Sequence, residues 1–255
     1  MKVALCQRRS VLNDVDANLS VMMKDIDTTD ADMYVYPELF LTGYGFDRNS
    51  VEPGLYDALM TIEEISKKKN VAVVVGAPEF EYDRIYNRAY VFTPDGTLGY
   101  RKIHLPGFGS FAEDRVFTPG KETVSFEFGG HRFGLSICYD IFFPEILKIC
   151  SYTHGTDVNI CISASPVASQ PFFERVLPAR ALENTSYLLF VNNIGTIGEF
   201  EFFGGTRALA PDGDLIRMSF EECVKTVEIS SEVVDNVRKG RPVLKDTVFE
   251  STYRG

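Results

Sequence analysis

Cys138 stands at the junction between a predicted strand and a predicted helix. Phe133, Leu135 and Ile137 alternate with small residues in a period of two, which is typical of a strand buried on at least one face, and Pro144 suits the first turn of a helix. A cysteine at such a corner projects away from its own backbone, and nearby N–H groups point to the place where an oxyanion would form. This position fits nucleophilic catalysis by the thiol, but a lone cysteine after an apolar strand is, taken alone, more typical of a buried structural residue.

Two charged residues lie at other strand ends, where an apolar pattern would otherwise continue. Glu38 follows the predicted strand 33–36, and Lys102 lies near the end of the predicted strand 97–103. A carboxylate in apolar surroundings is either paired or functional, because burial disfavours its charged form, and a nearby ammonium favours a thiolate over a thiol. Each residue taken alone is more typical of a surface charge or of a structural ion pair.

Histidine, a common base for a thiol nucleophile, occurs only three times. The strand period places His131 on the opposite face from Cys138 and about 20 Å away along an extended chain. His154 follows the next helix. His104 is therefore the one histidine whose position fits a partner for the thiol, and a carboxylate base is an equal alternative.

The elements around these residues alternate between strands and helices, which predicts an α/β fold. Apolar spacing predicts strands at 2–6, 33–36, 71–76, 133–137, 158–162, 187–193 and 224–229, and helices from Asn13 or Asp14, over 54–70, from Pro144 to about Tyr152, from about Pro171 to Ser186 and from Ser231. The loop 163–170 follows a strand end, where ligands often bind.

Turn sequences indicate how the chain is organised. Two Pro-Asp-Gly turns, at 94–96 and 211–213, predict one hairpin in each half, and a third hairpin turns at Gly129-Gly130. The repetition favours two similar layers, although two occurrences of a common turn sequence are an equal alternative. In the absence of a linker, we predict a single domain over 1–255, with a basic tail at 238–255 at a subunit interface.

Composition limits the classes of partner. The net charge of −10 over 255 residues argues against nucleic acid or an anionic membrane, and 45% hydrophobic residues are ample for a packed core. There is no apolar run of about 18 residues and no signal-like N-terminus, which predicts a cytoplasmic protein. Five scattered cysteines without a C-x-x-C pair indicate reduced thiols rather than disulfides or a zinc site.

Glu38, Lys102 and Cys138 belong to ordered motifs that together resemble the nitrilase superfamily of carbon-nitrogen hydrolases. The motifs cover 37–40 with 42–44, 100–105, 111–113 with 117–120, 138–140 with 143–145, and 180–184 with Asn193. The resemblance extends over nearly the whole chain. It implies a four-layer α-β-β-α sandwich. Members of this family usually pair through their helices, so we expect a homodimer or a higher homo-oligomer.

The resemblance also implies roles for the residues. Glu38 is expected to be the general base, Cys138 the nucleophile, and Lys102 the cation that holds the oxyanion together with the N–H of Tyr139. Glu113 is expected to be a second carboxylate at the site; the alternative is a charge in a solvated loop. The implied reaction is attack of the thiol on an amide carbon, loss of ammonia or an amine, and hydrolysis of the thioester, without a metal or an organic cofactor.

The residues after the nucleophile bear on the substrate. Relatives that act on carbamoyl amino acids or dicarboxylic monoamides often carry arginine where this chain has Ile141 and Phe142. With Tyr44, Phe108 and Tyr139 nearby, we expect an apolar pocket in which these three residues and Phe142 bind the substrate. The predicted substrate is a small neutral or hydrophobic carboxamide.

Other functions remain open at this point. A nitrilase would use the same residues on a C≡N bond, but such enzymes commonly carry tryptophan and glutamate after the cysteine, whereas this chain has Tyr139-Asp140 and no tryptophan. An N-carbamoyl amidohydrolase is a comparable alternative. A non-catalytic small-molecule binder on the same fold, or a redox sensor that uses Cys138, would belong to different classes.

Overall fold

Two six-stranded sheets form the centre of the computed structural model, which describes residues 1–109, 111–217 and 221–248. In chain order, the first half contains β1 Lys2–Gln7, α1 Val15–Thr28, β2 Met33–Val35, α2 Arg48–Lys69, β3 Ala72–Glu81, β4 Arg84–Thr93, β5 Gly96–Arg101 and α3 Glu113–Val116. The second half contains β6 Ser125–Phe128, β7 His131–Ile137, α4 Pro144–Tyr152, β8 Val158–Ser163, α5 Gln170–Asn184, β9 Tyr187–Asn192, β10 Ile194–Ile197, β11 Phe200–Phe203, β12 Arg207–Ala210, β13 Gly213–Arg217, β14 Cys223–Glu228 and α6 Ser231–Gly240.

The two sheets repeat one topology. The first has the order β14-β1-β2-β3-β4-β5, and the second has the order β13-β12-β9-β8-β7-β6. In each sheet three parallel strands, β1-β2-β3 or β7-β8-β9, continue into an antiparallel hairpin, β4-β5 or β12-β13. The Pro-Asp-Gly turns therefore lie in equivalent hairpins, and the prediction of two similar layers is confirmed.

Packing on both faces of each sheet gives four layers. In β1, Val3 and Leu5 belong to a core cluster that includes the strands of the second sheet, whereas Ala4 and Cys6 pack in a cluster with residues of α1 and α2. The helices α4 and α5 cover the second sheet, where they contribute Leu147 and other apolar residues. The predicted α-β-β-α sandwich is confirmed.

Some element boundaries differ from the predictions. The helix predicted at 54–70 begins at Arg48, because Asp47 caps it by accepting the backbone N–H of Ser50, and Pro53 lies within the helix. The predictions missed the short hairpin β10-β11 and the single-turn helix α3. Short elements carry too few residues for a periodic pattern.

The predicted C-terminal tail begins inside α6. Arg238 donates to Asp157 Oδ1 at 3.0 Å and to the Thr156 carbonyl at 2.7 Å, so the start of this segment packs on its own chain. Residues 249–255 lie outside the described residues, and the subunit interface stays a prediction. No helix in the described part of the chain has the length and apolar character needed to span a membrane.

The segment that carries Glu38 lies directly against β3. The Gly76 N–H donates to the Pro37 carbonyl at 3.0 Å, and the Leu41 N–H donates to the Gly76 carbonyl at 3.2 Å. A Cβ atom on Gly76 would lie 2.3 Å from the Leu39 nitrogen and 2.6 Å from the Glu38 Cα. A glycine is therefore required at this point for the chain to bring Glu38 to the edge of the sheet.

Gly76→Ala tests this close approach, with Gly54→Ala as the matched control. We expect Gly76→Ala to lower the free energy of unfolding by roughly 1–3 kcal/mol, because two backbones must move apart. Gly54 lies in α2 with no atom within 4 Å of a built Cβ, so its replacement should raise stability by up to about 1 kcal/mol. Urea unfolding of both variants measures the difference; a Gly76→Ala protein as stable as the wild type would contradict the argument.

Candidate active site

Cys138 lies at a sharp corner directly after β7. Its φ is +47°, in the left-handed region, and residues Cys138–Phe142 form a short 3₁₀ turn before Pro144 begins α4. The predicted strand, turn and helix start are thus confirmed, with Pro144 at the start of the helix. This φ is strained for a residue other than glycine. The first N–H groups of a helical turn, to which that of Tyr139 belongs, have no acceptors inside the turn.

Asp140 fixes this corner to the segment around Lys102. Its fully buried carboxylate accepts the Ile137 N–H at 3.1 Å and the Tyr100 hydroxyl at 2.8 Å through Oδ2. Oδ1 lies 2.9 Å from both the backbone nitrogen and Nδ1 of His104, whose ring stacks on Phe143. His104 is therefore engaged by Asp140, which supports a carboxylate as the base for the thiol.

Lys102 lies between two carboxylates in the interior. Its Nζ is 2.7 Å from Glu38 Oε1 and 2.8 Å from Glu113 Oε2, and all three side chains are at most 3% exposed. The Tyr44 hydroxyl donates to Glu113 Oε1 at 2.8 Å. The structure therefore brings Glu38, Lys102 and Glu113 together, and Glu113 is not a solvated loop residue.

The charges of this cluster shift its pKa values. Burial alone would lower the pKa of Lys102, but the charges of Glu113 and Glu38 outweigh it and hold that pKa well above its usual value. Burial, together with the neighbouring charge of Glu38, raises the pKa of Glu113 to about 7, although Lys102 opposes this shift. One cation shared by two carboxylates thus leaves Glu113 able to hold a proton near neutral pH.

The charges of this cluster also affect the pKa of the Cys138 thiol. Burial and the charge of Glu38 raise the pKa of Cys138 to about 12, whereas Lys102 and the hydroxyls of Ser163 and Ser165 act in the opposite direction. The resting site therefore favours a neutral thiol, and a base must take its proton before it can attack.

Neutral polar groups complete the environment of Glu38, and the sequence analysis did not assign them roles. The Asn87 side-chain amide donates to Glu38 Oε1 at 2.7 Å, and the Ala164 N–H donates to Oε2 at 2.6 Å. The Asn193 side chain donates to the Glu38 carbonyl at 2.8 Å. Asn193 ends one of the motifs quoted above, but Asn87 and Ala164 interrupt no apolar pattern that would have revealed them.

A cavity of about 240 Å³ opens onto Cys138. Among the residues that the structure describes, most of the lining is aromatic, and no lining side chain is charged. The lining residues are Pro106, Phe108, Phe111, Cys138, Tyr139, Phe142, Ser165, Pro166, Ser169, Phe172 and Phe173.

Three of the four predicted substrate-binding residues line this cavity, namely Phe108, Tyr139 and Phe142. Tyr44 is not among the lining residues; its hydroxyl is bonded to Glu113, which fits a role in positioning that carboxylate instead. Phe172 and Phe173 were missed, although two adjacent aromatic residues at the start of α5 follow directly on the loop that the sequence marked as a ligand-binding loop. Within the described residues, no cluster of three or more His, Cys, Asp or Glu side chains could hold a metal ion.

Glu113→Gln tests the raised pKa of Glu113 through the pH dependence of stability. A carboxyl with a higher pKa in the folded protein than in the unfolded chain binds more protons when folded, so the wild type should lose stability as the pH rises from 4.5 to about 7. This loss, of up to about 3 kcal/mol, should be absent from the variant.

Urea unfolding at about pH 5 and about pH 8 provides the measurement. The exposed Glu64→Gln variant removes a carboxyl without removing a buried one, and it should keep the wild-type dependence on pH. If Glu113→Gln and the wild type changed in parallel between the two pH values, the raised pKa of Glu113 would be refuted.

Comparisons with known proteins identify the family of this chain. The sequence matches the carbon-nitrogen hydrolase family over residues 2–239. It is 32% identical to an (R)-stereoselective amidase of a Pseudomonas species, over 96% of this chain and 91% of the relative, and 32% identical to a nitrilase of Pyrococcus abyssi over the full length of both. It is 30% identical to a glutamine-dependent NAD(+) synthetase of Aquifex aeolicus, but it spans only 42% of that protein.

Solved structures show the same fold. A CN-hydrolase superfamily protein from Xanthomonas campestris superposes with a TM-score of 0.88 over 98% of each chain, at 21% sequence identity. The match to the family extends over nearly all of this chain and takes in Glu38, Lys102, Glu113 and Cys138. The chain is therefore a carbon-nitrogen hydrolase of the nitrilase superfamily.

Proposed function

We propose that this protein hydrolyses a small neutral carboxamide to an acid and ammonia, with Cys138 as the nucleophile. The observation that carries the proposal is the position of the Cys138 thiol, at the base of an uncharged aromatic cavity and under the electrostatic influence of Glu38 and Lys102. A binding protein without catalysis would gain nothing from a buried base, a cation and a thiol brought together from distant parts of the chain.

In the first stage, a Glu38 oxygen takes the proton of the thiol, and the Sγ electron pair forms a bond to the amide carbon. The carbonyl oxygen becomes an oxyanion, which we expect Lys102 Nζ and the Tyr139 N–H to stabilise. The C–N bond then breaks as Glu38 returns the proton to the leaving nitrogen. Ammonia leaves, and the acyl group remains on Cys138 as a thioester.

In the second stage, Glu38 takes a proton from a water molecule, whose oxygen attacks the thioester carbon. Collapse of the oxyanion breaks the C–S bond, releases the acid and returns the proton to sulfur. Lys102 is charged in the resting site, because the charges of Glu113 and Glu38 hold its pKa well above the usual value despite its burial. Its role is electrostatic, and it is not a proton donor.

The lining of the cavity supports a neutral acyl group. A substrate carboxylate would lose its hydration in an aromatic cavity that offers no cationic side chain among its lining residues. The two positions where relatives often carry arginine are apolar in this chain. Phe142 lines the cavity, and Ile141 is fully buried in the core. A small aromatic or branched aliphatic amide fits both the volume of about 240 Å³ and the uncharged surface.

A nitrile is the second candidate substrate. The Pyrococcus abyssi relative is named a nitrilase and aligns over the full length of this chain. The same thiol can attack a nitrile carbon, after which the thioimidate needs water twice to give the acid and ammonia. An N-carbamoyl compound would also release ammonia, together with carbon dioxide and an amine.

Ammonia release from a panel of substrates tests the proposal. The panel contains neutral aliphatic and aromatic carboxamides, dicarboxylic monoamides, N-carbamoyl compounds and the matching nitriles. We expect the neutral amides to be turned over, and we expect Cys138→Ala to lose activity by roughly 10⁴-fold or more. Cys223→Ala, which replaces a partly exposed cysteine that does not line the cavity, is the matched control.

The other outcomes discriminate between the candidates. Preferred turnover of nitriles would show that the substrate is a nitrile rather than an amide. Saturable turnover of dicarboxylic monoamides without activity on neutral amides would overturn the proposal that the cavity binds a neutral acyl group. Equal activity of Cys138→Ala and Cys223→Ala would exclude thiol catalysis altogether.

Phe172→Ala tests the part of the cavity wall that lies nearest to solvent. The Phe172 ring lines the cavity but is 63% exposed, so its removal should disturb the fold little. We expect KM for an aromatic amide to rise about threefold to tenfold while kcat changes little, because the ring contributes apolar contact rather than chemistry. A short aliphatic amide is the internal control, and an equal change of KM for both substrates would show that the ring does not contact the aromatic group.

A further inference from the structure

Two buried hydroxyl groups lie beside the nucleophile, and the mechanism above gives them no role. Oγ of Ser165 is 3.3 Å from Cys138 Sγ, and Oγ of Ser163 is 2.5 Å from Oγ of Ser165. Both serines are fully buried. The two hydroxyls therefore find their hydrogen bonds inside the protein, in a short chain that ends at the reacting sulfur.

We propose that Ser165, supported by Ser163, is a further catalytic residue that donates a hydrogen bond to the Cys138 thiolate. The proposal rests on the proposed thiol mechanism. When Glu38 takes the proton, the S–H bond breaks and the electron pair stays on Sγ. A thiolate can only accept hydrogen bonds, so the hydrogen between Sγ and Oγ must then belong to Ser165.

The surroundings of the sulfur make such a donor necessary. Burial opposes the negative charge on sulfur and raises the pKa of Cys138. Lys102 is the nearby cation, but Glu113 Oε2 lies 2.8 Å from its Nζ and compensates part of its charge after Glu38 has taken the proton. A hydrogen bond to the charged form of a group stabilises that form, and in a buried site such a bond is strong.

The hydroxyl pair can also act in one direction. If Ser163 donates to Ser165, the hydrogen of Ser165 is left for the sulfur, and the first bond polarises the second. The contact of 2.5 Å between the two oxygens is at the short end for such bonds. In the segment 163–165, the Ser165 hydroxyl can therefore donate to sulfur. The N–H of Ala164, between the two serines, donates to the proposed base Glu38.

Two asparagines at the end of β9 hold the serines in place. The Asn192 side chain binds Ser165 on both sides, accepting its N–H at 2.8 Å and donating to its carbonyl at 3.2 Å. The backbone N–H of Asn193 donates to the Ser163 carbonyl at 3.0 Å. Pro166 further restricts the backbone of Ser165. The donor is thus fixed before the thiolate forms, as electrostatic stabilisation requires.

The test is the rate of alkylation of Cys138 by iodoacetamide, which needs no amide substrate. Thiolate is the reactive form, and the rate is followed on the tryptic peptide 133–148, which contains Cys138 as its only cysteine. Between about pH 7 and about pH 9, we expect Ser165→Ala to react roughly threefold to tenfold more slowly than the wild type. Loss of the hydrogen bond raises the pKa of Cys138 and so lowers the fraction of thiolate. This effect on the rate outweighs the higher nucleophilicity of a thiolate with a higher pKa.

Ser136→Ala is the matched control, because Ser136 is also fully buried and lies two residues before Cys138, but its hydroxyl donates to the Ile160 carbonyl. It should react at the wild-type rate. Ser165→Thr keeps a hydroxyl and should recover most of the lost rate. Ser163→Ala should show a smaller loss than Ser165→Ala, and it provides the test if Ser165→Ala does not fold.

Equal alkylation rates of the wild type, Ser165→Ala and Ser163→Ala would overturn the proposal, as would an equal loss in Ser136→Ala. A purely structural role of the hydroxyl would lower the unfolding midpoint and leave the alkylation rate of the folded protein unchanged. If the alkylation result holds but no amide is hydrolysed, the substrate assignment fails and the role of Ser165 on the thiolate stands. On an amide substrate, the loss should fall on kcat rather than on KM.

Discussion

The site depends on one constraint, namely that a single ammonium must satisfy two buried carboxylates. Removing Lys102 from water is costly, and the close contacts with Glu38 and Glu113 are what make its burial possible. Each carboxylate in turn needs further donors, which Asn87 and Tyr44 provide. The polar interior is therefore one connected network, and its members cannot be exchanged independently without leaving a buried charge unpaired.

The repeated topology explains why this network can be assembled at one edge. Parallel strands end on the same side of a sheet, and the functional residues follow such ends: Glu38 comes after β2, Cys138 after β7 and Ser165 after β8. Lys102 directly follows β5, where Asp140 ties the adjoining segment to the corner of the nucleophile. The loops at these ends carry chemistry, whereas the faces of the sheets carry the core.

Local patterns drew attention to Cys138, which lies at a strand-to-helix junction, and to Glu38 and Lys102, which place charges where apolar residues are expected. Each of these residues taken alone was more typical of a structural role, and the resemblance to the family implied their roles in the site and that of Glu113. Asn87 and Ser165 are neutral polar residues that fit many environments, and their roles depend on contacts with distant residues. The N–H of Ala164 reaches Glu38 across 126 positions of the chain, and no local pattern contains that information.

The elements of the fold were likewise predictable where a local pattern determines them, and not where distant contacts do. The long strands and helices followed from their periodicity, and the two Pro-Asp-Gly turns indicated the repeat of the layers. The predicted start of α2, at residue 54, was wrong, because the cap at Asp47 determines where the helix begins. The hairpin β10-β11 has only four residues in each strand, and its formation depends on packing around Phe202.

Asp140 links residues from the two repeated halves of the chain: Tyr100 and His104 come from the first half, and Ile137 comes from the second. The proposed base Glu38 and the cation Lys102 likewise belong to one half, and the proposed nucleophile Cys138 belongs to the other. In the proposed mechanism each half alone is therefore chemically incomplete, and activity depends on the alignment of the two halves. A small sliding of one sheet across the other would separate base from nucleophile while every hydrogen bond within both sheets stayed intact.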